Sequence, residues 1–356
     1  MAAHAWKELC SFNAPAMERI ALAFILVAML TFSCDRDPYF GPVYENPNDS
    51  LQVDSTRNFL LVGCEGNFQL GNASISRVDL LDKTVSNDVF NSANGKLLGD
   101  VLQSIYRSGD SLYLILNNSG LIRIVDPISL KQIDVIKGLN SPRYMTIKNG
   151  NAYVTSLFSD KVSVINLENL QVESMIQGGD WTEHIIDLEK HFVIAEVNSN
   201  KLIVYDPNFE SPTKLRLDIS PRIMRKTAGG LLVAGNTQTI DGQGIIYLYD
   251  NELTLIDTVY LDPVVDVVVL DSMIYSLHSN RIEGRTMGSS RLIFSVSTPT
   301  TNNYSISASP DGSGMWLSDV KDYISKGEVL SYNLDQNSWG KRYVVGHIPQ
   351  AMYFSL

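Results

Sequence analysis

Reactive side chains are scarce in this chain of 356 residues, which carries three cysteines and five histidines. Cys10, Cys34 and Cys64 form no CxxC pair and no Cys/His cluster, which excludes a zinc knuckle and a redox couple. His184, His191, His278 and His347 fall in different parts of the chain and read as satisfied or exposed side chains rather than metal ligands. Charged residues make up 19%, and their balance is acidic, with a formal net charge of -11. An acidic surface repels a phosphate backbone, so nucleic acid is excluded as a partner. No GxSxG, HExxH, Walker loop or dinucleotide glycine fingerprint occurs. Gly242-Gln243-Gly244 lacks the third glycine and reads as a turn, and Ser309-Pro310-Asp311-Gly312 reads as a hairpin. These absences predict a chain that is not an enzyme, with no catalytic residue, no metal and no cofactor. No long stretch shows a helical period with caps.

Long apolar runs are also missing, except near the start. Arg19 precedes an apolar run over residues 20–30, followed by Thr31-Phe32-Ser33-Cys34 and a polar stretch. A basic start, an h-region of this length and small residues before the junction describe a signal peptide, and the run is short for a membrane span. The pattern resembles a lipobox, which implies lipid attachment at Cys34. Residues 1–33 are therefore read as upstream residues and signal peptide. Residues 34–57, with Pro38, Pro42 and Pro47, read as a lipidated tether, and residues 58–356 as the folded domain. Asp35-Arg36-Asp37 just after Cys34 resembles a lipoprotein surface-export signal, which implies an outer-membrane, lipid-anchored and surface-exposed location. Cys64 alone stays free in that arrangement, inside an apolar run that suits a buried inert thiol.

What is abundant is repetition. An apolar residue followed by Asp or Asn recurs at Asp79, Asp126, Asn166, Asp206, Asp250 and Asn333, at spacings of 47, 40, 40, 44 and 83 residues. The last spacing spans two repeats, so the repeat near Ile282-Glu283-Gly284 has lost the mark. A period near 40 built from short alternating strands predicts an all-β, seven-bladed β-propeller. One unit shows the plan: strands at 143–147, 152–155, 161–165 and 171–176, with a glycine turn at Gly150. Residues 351–356 read as an inner strand without a blade, while 59–62 and 74–78 read as second and third strands without a first. Pairing the C-terminal strand with the N-terminal blade closes the ring and removes an exposed edge.

Several stretches resemble one family of seven-bladed, YncE-like propeller lipoproteins from Bacteroidetes, DUF5074-like and related to the wider YVTN-repeat propellers. They are Asn94-Gly95-Lys96-Leu97-Leu98-Gly99-Asp100, Asn117-Asn118-Ser119-Gly120, Ser141-Pro142-Arg143-Tyr144, residues 322–329 and Gly346-His347-Ile348-Pro349. The resemblance implies binding of a small molecule on one propeller face, such as a corrinoid (vitamin B12, cobalamin), and delivery to a TonB-dependent outer-membrane transporter.

In a propeller the blade-joining loops and the second-to-third-strand loops share one rim. The first set carries Arg143, Trp181, Arg222, Tyr304 and His347; the second carries Phe68, Asn117, Phe158, Glu196, Gln238, His278 and Tyr323. Aromatics and planar polar groups around a concave mouth suit a large amphipathic ligand. Fold alone also admits a propeller enzyme of lactonase or quinoprotein-dehydrogenase type, and a protein-interaction scaffold.

Overall fold

The structure is a computed structural model that describes residues 58–355 apart from positions 208, 210, 211 and 241. The signal peptide, Cys34 and the tether lie outside the described residues. Seven antiparallel sheets of four strands each make up the fold. Blade 3 repeats the expected plan with slightly longer strands: Pro142–Lys148, Asn151–Ser156, Lys161–Asn166 and Gln171–Gln177. Its first hairpin turns at Asn149 and Gly150, both with positive φ.

The recurring Asp or Asn has a physical role. At the end of the third strand its side-chain oxygen accepts backbone N–H groups of the turn that follows, two of them in most blades, folding an Asx turn. Asp79 accepts from Leu81 and Asp82. Asp126 accepts from Ile128 and Ser129, and Asp250 from Glu252 and Thr254. Blade 6 ends its third strand, Arg281–Thr286, on a threonine, and there Ser289 N–H bonds the Thr286 carbonyl instead.

The first strand of each blade faces the axis. Around the ring these inner strands are Leu102–Ser108, Pro142–Lys148, Thr182–Asp187, Ile223–Thr227, Asp266–Leu270, Asn303–Ala308 and Pro349–Ser355, each packed against the next. The last belongs to blade 1, where it pairs with Phe59–Cys64 from Phe59↔Ser355 to Cys64↔Pro349. Closure by the C-terminal strand is therefore observed.

Between blades lie apolar clusters. Leu61 and Ile75 of blade 1 meet Leu112 and Leu114 of blade 2. Leu60 and Val62, which point the other way because strand side chains alternate, meet Trp316 and Tyr343 of blade 7. The second strands are accordingly apolar on both faces, as sheets buried on both sides require.

One feature breaks the repeat. Connections from an outer strand to the next inner strand are short, as at 137–141, 178–181 and 298–302, but the one from blade 1 to blade 2 spans 87–101. It contains the helix Val89–Asn94, the one α-helix among the described residues, which the sequence reading did not assign. Among the described residues no helix is long and apolar enough to cross a membrane.

Candidate functional site

Because every inner strand is entered from the outer strand of the preceding blade, the first residues of all seven inner strands gather at one end of the axial channel. The second residue of those strands supplies Gln103, Arg143, Glu183, Tyr304 and Gln350. Glu65, one residue past the end of Phe59–Cys64, joins them because that strand runs antiparallel to the inner strand beside it.

Arg143 and Glu183 form a forked ion pair, Nε to Oε2 at 3.0 Å and Nη2 to Oε1 at 2.6 Å. Arg143 Nη1 also donates to Gln103 Oε1. Trp181 donates its indole N–H to Glu183 Oε1 at 2.7 Å. The carboxylate of Glu183 is thus held between two blades, and a bidentate pair of this kind is geometrically specific. Trp181 has φ 52, as do its counterparts Val101, Ser141 and Ile348 with φ of 55, 45 and 54, each one residue before an inner strand. Side chains rarely adopt this region; here it aims the second strand residue at the axis.

Glu65 is partly buried and accepts the Tyr304 hydroxyl at 2.8 Å. Gln350, with its amide nitrogen turned inward, donates to Glu65 Oε1 at 2.9 Å and to the Gln103 carbonyl at 2.9 Å. Burial pushes the Glu65 carboxyl up to about 7, against the opposing effects of the Tyr304 hydrogen bond and Arg143. Around the ring, His184 stacks on Tyr144 with centroids 3.9 Å apart. Burial first, then Arg225 and Arg143, holds the imidazole well below its ordinary value, so it is neutral. Arg225 pairs with Asp266 at 2.7 Å, and burial outweighs that cation in raising the Asp266 carboxyl. Burial likewise pushes the Tyr144 phenol up to about 12. The mouth therefore presents one carboxyl poised at neutral pH within a ring of fixed hydrogen-bonding groups.

The structure separates the residues placed on the rim from sequence. Arg143 and Tyr304 sit in the ring, with Trp181 behind Glu183. Tyr323 meets Tyr304 edge-on at 6.0 Å, and the exposed Arg222 lies over the Trp181 ring at 5.1 Å. Phe68 and Phe158 are exposed on their loops, and Gln238 bonds Asn200 at the surface. Three placements are corrected. Asn117 turns inward and donates to the Pro142 carbonyl at 3.1 Å, tying blade 2 to blade 3. Glu196 is buried and accepts the Asp180 N–H at 3.0 Å. His278 is buried between the Pro263 carbonyl and the Ser276 hydroxyl, each at 3.0 Å. His347 is half-buried at the end of the outer strand Ser338–His347.

Glu65, Gln103, Glu183 and Gln350 were missed. A signal existed for two of them: the 40-residue period, applied to Arg143, lands on Gln103 and Glu183.

Comparison with known proteins places the fold among propellers. No curated protein matches the chain. The periplasmic gluconolactonase of Pseudomonas aeruginosa is 16% identical with a TM-score of 0.63, covering 85% of this chain and 99% of its own. A Bacteroides fragilis protein, a candidate 6-phosphogluconolactonase, is 13% identical with a TM-score of 0.64, covering 86% and 100%. The dihydro-heme d1 dehydrogenase NirN, in complex with DHE, is 12% identical with a TM-score of 0.56, covering 88% and 79%. Likeness at these identities is likeness of fold. It nevertheless overturns the expectation that the chain is not an enzyme, because that expectation rested on missing linear motifs. A propeller assembles its reactive groups from separate strands, so the absence of a contiguous motif excludes nothing. The family model described as a domain of unknown function, DUF5074, matches residues 59–258. With more than half of its length matched, the chain belongs to the DUF5074 family.

Proposed function

We propose that this protein is a propeller hydrolase that opens a small polyhydroxylated lactone at the channel mouth. The observation that carries the reading is Glu65, a partly buried carboxyl hydrogen-bonded to Tyr304 and Gln350 within the ring and drawn up to about 7 by burial. A general base works best when its pKa lies near the working pH, and perturbed carboxyls of this kind concentrate at reactive sites. Glu65 takes a proton from water as the water oxygen attacks the lactone carbonyl. Three of the five N–H bonds of Arg143 are committed to Glu183 and Gln103. The other two are available to the oxyanion of the tetrahedral intermediate, the kind of donor that stabilises acyl transfer most. When the ring C–O bond breaks, the proton on Glu65 passes to the leaving oxygen, giving the open hydroxy acid and restoring the carboxylate. The lactonase names among the fold neighbours support the reaction class by analogy alone.

Glucono-1,5-lactone is the probe that tests this. The wild-type chain is expected to accelerate its hydrolysis, and Glu65→Gln to lower kcat by about 10²-fold or more. No acceleration of this or a related aldonolactone by the wild type removes the reading.

A second reading has its own observation. Arg222 over Trp181 offers a cation–aromatic platform at the blade-joining loops, with Phe158 and Tyr323 exposed on other loops. Such a platform suits the apolar face and amide arms of a corrinoid such as cobalamin. Calorimetry with cyanocobalamin tests it: binding should weaken by about tenfold or more in Trp181→Ala, and absence of binding at micromolar protein rules it out. Lipid anchoring at Cys34 and transfer to a TonB-dependent transporter belong with this reading.

A further inference from the structure

Tyr304 is tied down on both sides. It is the second residue of the inner strand Asn303–Ala308, and a register shift between Asn303 and Ser305 places it outside the ladder. A bulge of this kind re-aims a side chain. Asn303 Nδ2 donates to the His278 carbonyl of blade 6 at 2.7 Å, and the Ser305 hydroxyl donates to the Gln350 carbonyl of blade 1 at 2.7 Å. The backbone that carries the phenol is thereby fixed to both neighbouring blades, and its hydroxyl reaches Glu65 Oε1 at 2.8 Å. Burial first, then Glu65, holds the phenol well above its ordinary value, so it stays protonated and acts as a donor.

The ring of Tyr304 is braced by Tyr323, edge-on at 6.0 Å. Tyr323 has φ 63, which is unfavourable for a bulky side chain and persists where the surroundings over-determine it. Here they do. Asn67 Nδ2 donates to the Tyr323 carbonyl at 2.7 Å, and the Tyr323 N–H donates to the Val320 carbonyl at 3.0 Å. Asp322 Oδ1 accepts the N–H groups of Ile324 and Ser325 at 3.0 and 2.7 Å, folding the turn around Tyr323. Asn67 lies two residues beyond Glu65, so the loop that carries the carboxyl is fastened to the loop that braces the phenol. The two oxygens of Glu65 are not alike. Oε1 accepts both the Tyr304 hydroxyl and the Gln350 amide, at 2.8 and 2.9 Å. Oε2 has no hydrogen-bond partner in the protein and is not sealed from solvent.

We propose that Tyr304 is the positioning residue of Glu65 and Tyr323 its brace, the pair fixing Oε1 so that Oε2 is the atom that takes the proton from water. The proposal rests on Glu65 as the base of lactone opening. A phenol that donates to a carboxylate also favours the ionised form. Arg143, from blade 3, favours it too, while Glu183, from blade 4, opposes it. Those two charges are the same with or without the Tyr304 hydroxyl. Removing the hydroxyl therefore leaves a carboxyl that keeps its proton to higher pH, so fewer molecules carry the base at neutral pH.

Two readouts test this: the pH profile of kcat/KM for glucono-1,5-lactone, and the NMR titration of the Glu65 side-chain carboxyl, assigned with Glu65→Gln. Tyr304→Phe removes the hydroxyl and keeps the ring. Both inflections should move up from about 7 by about one pH unit, with kcat lowered about tenfold. Tyr323→Ala, at an exposed position, should move them the same way by less, which covers the case in which Tyr304→Phe unfolds. Tyr323→Phe keeps the ring contact and should retain the wild-type inflections. A merely structural role would lower Tm in these variants and leave the inflections where they are. Lactone hydrolysis with no rise in Tyr304→Phe, or in Tyr323→Ala where the first variant does not fold, overturns this proposal alone. A wild type that hydrolyses no aldonolactone overturns the lactone reading and this proposal with it.

Discussion

Glu65 couples the reactivity of the mouth to the stability of the fold. Its carboxyl moves from an ordinary 4.5 to about 7 on folding, with burial as the main cause. The folded chain therefore holds this proton more tightly than the unfolded chain. The cost of ionising it is absent below about 4.5, grows as pH rises, and is complete above about 7. A shift of that size corresponds to on the order of 3 kcal/mol. Glu65→Gln keeps an acceptor for Tyr304 and removes the charge, so the variant should gain stability over the wild type at pH 8 and little at pH 4. Urea unfolding at the two pH values measures this, and a pH-independent difference would show that Glu65 ionises freely. Cys64 illustrates the opposite case: fully buried, with its thiol pushed up to about 12 by burial, it should resist thiol reagents until the protein unfolds. Arg143 and Tyr304 were legible as single residues because blade-joining loops can be located from the repeat. Asn117, Glu196 and His278 were misplaced because a loop position does not say which way a side chain turns.

At the scale of elements, the repeat was legible because its marks do structural work. Removing one Asx oxygen, as in Asp126→Ala, frees two backbone N–H groups at a turn. It should cost about 1 kcal/mol, measurable by thermal unfolding. The closing strand Pro349–Ser355 was legible for a different reason, a strand without a blade at one end and a blade without a strand at the other. Deleting residues 349–356 strips the inner edge from Phe59–Cys64 and exposes apolar side chains. Insolubility or a marked fall in Tm is expected, and an unchanged Tm would contradict the observed pairing. The helix Val89–Asn94 escaped the sequence reading because six residues are too few to show a helical period. The connection containing it was visible only as Asn94–Asp100, part of a resemblance.

Across the whole molecule, blades contribute apolar faces to their neighbours and one or two polar residues to the axis. The first contribution is encoded locally, so the fold could be read. The second is distributed one residue per blade, about 40 positions apart, so Glu65, Gln103 and Glu183 could not be assembled without the ring. The proposed lipid anchor is tested by Cys34→Ala, which should abolish incorporation of labelled fatty acid; retention of label would refute it. The central claim concerns the mouth of the channel, and the pH profile of kcat/KM for glucono-1,5-lactone tests it most directly. If Glu65 is the base, the rate rises with pH through an inflection near 7 in the wild type and loses that inflection in Glu65→Gln. Hydrolysis that keeps the same inflection in Glu65→Gln, or a wild type no faster than buffer, contradicts the account.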